Sequence, residues 1–587
     1  MTTPLIHRRP TSQTDSDAAL LPEPLPDARP SLPGVSHAKI WLACGIFLLV
    51  VGLYALSSPG RIDIIDGQAR FDVSYNWLVT GRPAIRDNWI GPLMGLAGRD
   101  GLRYSYYGAP ASLLAMPLVW LGLHFGSPAV PFSQFLFSLT STIFGAAVAS
   151  VLFLFYLELG VTTRRAIAWT MVSSFATLLW PVSNSTFDNS QHAFFALAAL
   201  YFAFLSARRK SRTMAVIGGI FAGVLILYQE YFLLIVPALA LATLDWGLAD
   251  RESLTTESVV PRVASFPKRV LQEAWYLIRT AYDRSGDARA SCVRYCLFVA
   301  AVSLGVALAL GYNYFRFGSW LDDGKFRFLA LRHHPLLGNP VAGFLTLLCS
   351  PGKGVFLYSP PLILGILGIA RLRRRRPALA GAIVTSSLLL VLFISCFACP
   401  GGDWCWGPRY LTPLLPLWAL AFPVIGDFRM KRPLVLAIVV LGFLVQVLAL
   451  SVENQRFFFE KGFNDFFWAE DSWVYFKHSA LLARVGETFS LSQGVPTTAR
   501  FFNSIPIPNW TTYAPLGTPA NVPRSLAPLW IRNFQIYFLP RPWPLWMSSL
   551  PSDLRPLDPR SWLAGFLGVS LLGFCLIFRG LKNRENL

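Results

Sequence analysis

Runs of apolar residues longer than a soluble core needs set the first limit on this chain. A helix crosses a hydrocarbon core with about 20 mostly apolar residues. Roughly twelve such runs occur, centred on Ile40–Leu56, Phe132–Glu158, Ala166–Val182, Ala193–Ala207, Met214–Tyr228, Phe232–Leu244, Cys296–Tyr314, Pro360–Ala370, Ala378–Ala398, Leu411–Ile425, Leu434–Ser451 and Trp562–Phe578. With 54% hydrophobic and only 14% charged residues, a soluble multidomain protein is excluded. The pattern predicts an all-α polytopic membrane protein of about twelve transmembrane helices.

The net charge of +19 invites a nucleic-acid reading, which its placement removes. Basic clusters occupy every second connection: Arg8-Arg9, Arg164-Arg165, Arg208-Arg209-Lys210, the loop 249–294, Arg371 with Arg373 to Arg376, Arg429-Lys431-Arg432, and Arg579-Lys582-Arg584. Positive-inside bias puts these in the cytoplasm with both termini, so no nucleic-acid partner is expected. Residues 1–38, rich in Pro, Ser and Asp, read as a disordered cytoplasmic tail. A membrane bundle then runs over 39–452, with outer loops at 57–131 and 318–358. Residues 453–560 form an outer segment lying on the membrane and the bundle, and 561–587 hold the last helix and a basic tail. Of the cysteines, Cys399 and Cys405 fall on the outer side, where a loop disulfide between them is allowed.

Once the basic loops are assigned inside, the unusual residues collect outside. After the first span comes RIDIIDGQARFD, with Asp63, Asp66 and Asp72; then RYSYYGAPASLLAMPLVWLG with Tyr107, ahead of a stretch that suits an interfacial helix. NSTFDNSQH holds Asp188 and His192, whose i, i+4 spacing also suits a metal on one helix face. SWLDDGK, SPGKGVFLYSPP with Lys353, and GGDWCWGPRYLTPLLP with Trp404, Arg409 and Tyr410 follow. A carboxylate at a membrane surface is a plausible proton acceptor. Guanidinium suits a phosphate, which favours Arg409, with Lys353 second because its Gly neighbours allow close approach of an anion. SPGKG lacks the spacing of an ATP-binding P-loop. Each residue has a plainer alternative: Asp66 pairs with Arg61 or Arg70, Arg409 anchors at the interface, and Trp404 belongs to an aromatic belt rather than a sugar platform.

Five of these motifs in this order, over about residues 40 to 450, resemble bacterial glycosyltransferases of the GT-C superfamily, relatives of protein mannosyltransferases and lipid A aminoarabinose transferases. The resemblance implies transfer of a sugar, with inversion, from a polyprenyl-phosphate donor to a glycan, lipid or protein acceptor at the outer face of the bacterial inner membrane. It matches Asp66 to the family's acidic residue of the first outer loop. The second acid that many relatives place beside it is absent, since Gly67 and Gln68 follow, so Asp63 or Asp72 would substitute. No cofactor is required by this reading, and a divalent cation is left open. Arg409, Lys353, Tyr410, Asp188, Trp404 and Tyr107 are the expected substrate contacts. The alternative class, a transporter or lipid flippase, calls for mid-span charges and broken helices paired between repeats; the spans are nearly free of charge.

Overall fold

The computed structural model of the chain describes residues 37–86, 94–126, 129–244, 287–331, 335–402, 404–427, 432–454, 457–458, 473–492, 541–547 and 558–585. Nearly all of the N-terminal tail, most of the basic loop 249–294, His333 and His334, Arg429 and Lys431, and much of 453–560 lie outside them.

Among the described residues the fold is all-α apart from one hairpin and a single bridge between Leu337 and Phe397, and it is polytopic. Among the described residues, seven helices are long and apolar enough to cross a membrane: 38–57, 129–158, 189–208, 289–317, 377–395, 432–451 and 559–582. They correspond to seven of the apolar runs. The other five runs form shorter or interrupted helices, and proline explains several of the interruptions. The run from Leu411 becomes a 3-10 turn, a short helix Leu415–Ala419 and a further 3-10 turn, broken by Pro413, Pro416 and Pro423, which remove backbone donors. Irregular backbone at membrane depth is tolerated only inside protein. Accordingly Leu411, Leu414, Leu417 and Leu420 are completely buried.

The named elements are α1 (His37–Ser57), α2 (Ile65–Thr80), β1 (Gly95–Ala97), β2 (Arg103–Ser105), α3 (Pro110–Phe125), α4 (Asn189–Arg208), α5 (Arg432–Ser451), α6 (Ala480–Ser492) and α7 (Pro559–Glu585). The central helix is α4, 89% buried over its most apolar window, whereas α7 is 17% buried and peripheral. Lipid offers no hydrophobic drive for helix association, so close backbone contact through small residues has to supply it. The α1–α7 pair does this: a side chain on Gly45 would meet the Gly573 carbonyl at 3.0 Å, and one on Gly573 would meet Leu49 N at 2.3 Å. The two ends of the described chain are thereby packed together, antiparallel.

The loops assigned by charge to a common side gather at one end of the bundle. There α2 lies between α1 and the β1–β2 hairpin, whose antiparallel register pairs Leu96 with Tyr104. Helix α2 starts with Asp66 in its first turn and stops at Gly81, a left-handed cap at φ 74°. The stretch read as interfacial is α3, with Leu113, Trp120 and Phe125 exposed while Ala111, Ala115 and Val119 face inward. Described parts of the outer segment return to this same end. Gly352 N donates to the Tyr475 carbonyl and Trp543 N to the Ser58 carbonyl; the Trp543 ring is fully buried, and its Nε1 donates to Ala55 O at 2.8 Å.

Candidate active site

Asp66 and Arg409, separated by 343 positions, meet at this end. Arg409 Nη1 lies 3.3 Å from Asp66 Oδ2, with the two side chains 10% and 13% exposed. Local sequence explains how each is presented. Gly67 lets the start of α2 press against the turn 184–188, since a side chain there would meet Thr186 Oγ1 at 2.2 Å. The missing second acid is thus a steric necessity at position 67. At position 68, Gln68 donates to Asp72 instead, at 3.1 Å. Arg409 is shaped by Gly402, whose φ of 80° and lack of a side chain leave room for the Arg409 stem; a Cβ would sit 2.4 Å from Cγ.

Arg409 also lies over the Phe187 ring, 3.8 Å from its centroid, and near Tyr410 at 5.0 Å. Burial works against its charge, but Tyr410 and Asp66 beside it hold its affinity for the proton above the ordinary value. Next to Phe187, Asp188 accepts from Arg70 Nη2 at 2.9 Å and sits 3.5 Å from His192 Nε2. Burial alone would raise the Asp188 carboxyl; Arg70, then His192, hold it well below the usual carboxylate range. Tyr107 covers Arg70, 4.1 Å from the guanidinium carbon to the ring centroid. Burial, reinforced by the Asp66 charge, pushes the Tyr106 and Tyr107 hydroxyls far up, so both stay neutral. The result is a cluster of two ion pairs, Asp66–Arg409 and Arg70–Asp188.

Asp63 is used differently. Its Oδ1 accepts from Thr186 N at 2.8 Å and Thr186 Oγ1 at 2.6 Å, and its Oδ2 lies 3.2 Å from Arg541 Nη2. Burial pushes its carboxyl up, Glu453 adds to this, and Arg541 and Thr186 pull it back. With both oxygens occupied, Asp63 positions the turn 184–188 and is poorly placed to take a proton. Asp72 is likewise engaged, by Arg86 and Gln68. Arg61, the other partner open to Asp66, pairs with Glu453 at 2.9 Å. The sequence reading missed Arg541, Glu453 and Thr186, since no local spacing links them to the first loop.

Lys353 is almost completely buried, and its ammonium donates to the Cys405 carbonyl at 2.7 Å and the Gly407 carbonyl at 3.3 Å. It braces the loop that presents Arg409. Lys353→Ala should therefore lower stability by about 2 kcal/mol, because the carbonyls lose a charged donor. A fall in the thermal midpoint, with faster hydrogen exchange over 401–409, checks this. No disulfide joins Cys399 and Cys405; Cys399 Sγ lies 3.6 Å from the Tyr475 hydroxyl, and Cys405 Sγ points at the Gly401, Gly402 and Gly407 carbonyls. Trp404 stacks on Phe458, with centroids 5.7 Å apart. A narrow crevice is lined by Asp63, Phe187, Trp404, Arg409 and Asn454 among others. It runs from Arg409 to Asn454, at the base of the outer segment.

A divalent cation fits these residues poorly. Each carboxylate of the cluster already faces a guanidinium, and among the described residues no three His, Cys, Asp or Glu side chains converge. Glu230 pairs with Lys325 at 2.7 Å, and Asp322 with Arg327 at 2.9 Å.

No protein-family model matches the chain, and no curated protein sequence does. Among solved structures it is similar to ArnT from Cupriavidus metallidurans in the apo state, at 15% identity and a TM-score of 0.40, over 68% of this chain and 61% of that one. It is also similar to the Archaeoglobus fulgidus oligosaccharyltransferase complexed with Zn and sulfate, at 13% identity and a TM-score of 0.38, over 68% and 52%. The same oligosaccharyltransferase tethered with an acceptor peptide matches at 12% identity and a TM-score of 0.38, over 74% and 58%. This chain spans between 52% and 61% of the length of these structures. At such TM-scores the likeness assigns no residue and no substrate.

Proposed function

We propose that this chain is an integral-membrane glycosyltransferase that moves a sugar, with inversion, from a polyprenyl-phosphate carrier to an acceptor hydroxyl of a glycan, lipid or protein. The membrane is the bacterial inner membrane and the site faces the periplasm, as the distribution of Arg and Lys favours. The observation that carries this reading is the Asp66–Arg409 pair at 3.3 Å, a carboxylate and a guanidinium at the membrane surface beside an open crevice.

The chemistry follows from that pairing. The donor phosphate takes the place of Asp66 at Arg409, a charge-assisted exchange of one anion for another, and so frees the carboxylate. Asp66 then accepts the proton of the acceptor hydroxyl, whose oxygen attacks the anomeric carbon. As the bond from that carbon to the phosphate oxygen breaks, negative charge grows on the phosphate, where Arg409 is already in place. Trp404 and Tyr410 flank the path as apolar walls, and Asp188 acts through Arg70. A lipid-borne donor suits a site beyond the reach of cytoplasmic nucleotide sugars.

The test is made in proteoliposomes holding the chain, a polyprenyl-phosphate hexose and candidate acceptors. Sugar should leave the carrier only when an acceptor is present. Donor that crosses the bilayer uncleaved would instead establish the transporter reading. Arg409→Ala should weaken polyprenyl-phosphate binding by about ten- to a hundredfold, the loss expected of one charged hydrogen bond; unchanged affinity rejects the phosphate role.

A further inference from the structure

The outer segment contributes one helix whose polarity is inverted. Along α6, Leu482, Val485 and Phe489 are 72%, 57% and 66% exposed, a stripe at i, i+3 and i+7. Gly486 is the only other exposed position from Ala480 to Phe489. The charges of the helix point the opposite way. Arg484 is fully buried and Glu487 nearly so, with Arg484 Nε 2.8 Å from Glu487 Oε2. Arg484 Nη1 also donates to the Val452 carbonyl, and its guanidinium lies over Trp406, 5.2 Å from the ring centroid. A helix on a water-facing surface shows the reverse, apolar inward and charged outward. Charges turned into the protein and paired there, beneath an apolar outer face, are the arrangement that lipid requires.

The neighbours of α6 set its depth. Leu481 N, in its first turn, donates to the Tyr358 hydroxyl at 3.2 Å, and the Tyr358 carbonyl accepts from Gln446 Nε2 at 2.8 Å. Gln446 lies about 7 Å of helix inside Ser451, where α5 ends. Two turns along α6, Thr488 Oγ1 meets Ser451 Oγ at 2.7 Å. Helix α6 therefore runs beside the last turns of α5, level with the span 432–451. At this level α5 exposes Leu444 and Val447, so the stripe on α6 continues the apolar surface of a span. We infer that α6 is a membrane-embedded helix of the outer segment, and that Leu482, Val485 and Phe489 contact acyl chains of the outer leaflet. The chain thus leaves the bilayer at the end of α5 and dips back into it at α6. The buried face of α6 backs the crevice, because the Trp406 beneath Arg484 is one of its walls.

Photolabelling of the full chain tests this, in proteoliposomes of phosphatidylcholine that carries a diazirine in its acyl chain. Peptides holding Leu482, Val485 and Phe489 should take up label as heavily as those holding Leu444 and Val447 of α5. Label on α5 with none on α6 overturns the inference, whether water, another stretch of the chain or a second copy covers the stripe. Val485→Asp gives an independent reading. A carboxylate at lipid depth is costly, so the thermal midpoint in nanodiscs should fall by about 2 °C or more. On a watery face the same change is close to neutral, and an unaltered midpoint overturns the inference. Should the variant fail to accumulate, the labelling of the wild type decides alone. Sugar transfer is not read in either experiment, so their failure leaves the proposed function standing.

Discussion

Asp66→Asn is expected to reduce sugar transfer by about 10²- to 10⁴-fold, the range that a positioned general base supplies. Asparagine keeps the shape and can still meet Arg409 as an acceptor through its carbonyl oxygen, but it cannot take a proton at neutral pH. Asp66 and Arg409 are both largely buried, but the asparagine amide oxygen keeps an acceptor against Arg409, so no buried donor is left unmade. The variant should therefore accumulate normally and bind polyprenyl phosphate at least as well as the wild type, since Arg409 no longer has to release an anion first. Single-turnover release of sugar from a labelled donor gives the rate, and a binding titration gives the affinity. Turnover near that of the wild type would remove Asp66 as the base. Turnover and affinity lost together would instead assign it to the donor site.

The second large effect lies away from the chemistry. Arg541→Ala should cost about 3–5 kcal/mol, the penalty for leaving a buried charge without its partner. Arg541 Nη2 serves both Asp63 at 3.2 Å and the Asn184 carbonyl at 2.8 Å, and Arg541 N donates to the Ser451 carbonyl. The pH dependence has a definite sign. The folded-state pKa of Asp63 is raised, so folding takes up protons at this carboxyl. Its contribution is most favourable below the unfolded value, near 3.9, and declines as the pH rises from there through the folded value. Removing Arg541 raises the folded value further and widens that window. The deficit of the variant in thermal midpoint should thus be smaller at about pH 5 than at pH 7.5. A deficit independent of pH would mean that Asp63 is not the group left stranded.

What the sequence made legible was what local pattern can encode. Seven apolar runs became full-length helices, and alternation of basic loops sorted the connections that meet at one end. The interrupted helices were partly readable from proline, as at Pro413 and Pro416, but burial of irregular backbone depends on neighbours far off in the chain. The same holds for the charges. Asp66 and Arg409 stood out by residue type and motif, whereas Arg70, Glu453 and Arg541 look like ordinary loop charges until folding sets each against a partner more than a hundred residues away. Gly67 is the clearest case. Read as a sequence it marks an acid that is missing; in the fold it is the close approach of α2 to Thr186. Lys353 shows the converse, a glycine-flanked cation suited to an anion that is engaged by backbone carbonyls.

The antiparallel packing of α1 against α7, with Trp543 and Arg541 just ahead of α7, bears on biogenesis. A ribosome delivers Asp63 and α2 early, yet the residues that pin them emerge only after every intervening helix has been made. Until Arg541 has been made, the turn holding Asp188 has Thr186 bonded to an Asp63 that lacks its countercharge. The nascent chain thus lacks the Asp63–Arg541 contact until synthesis has passed residue 541.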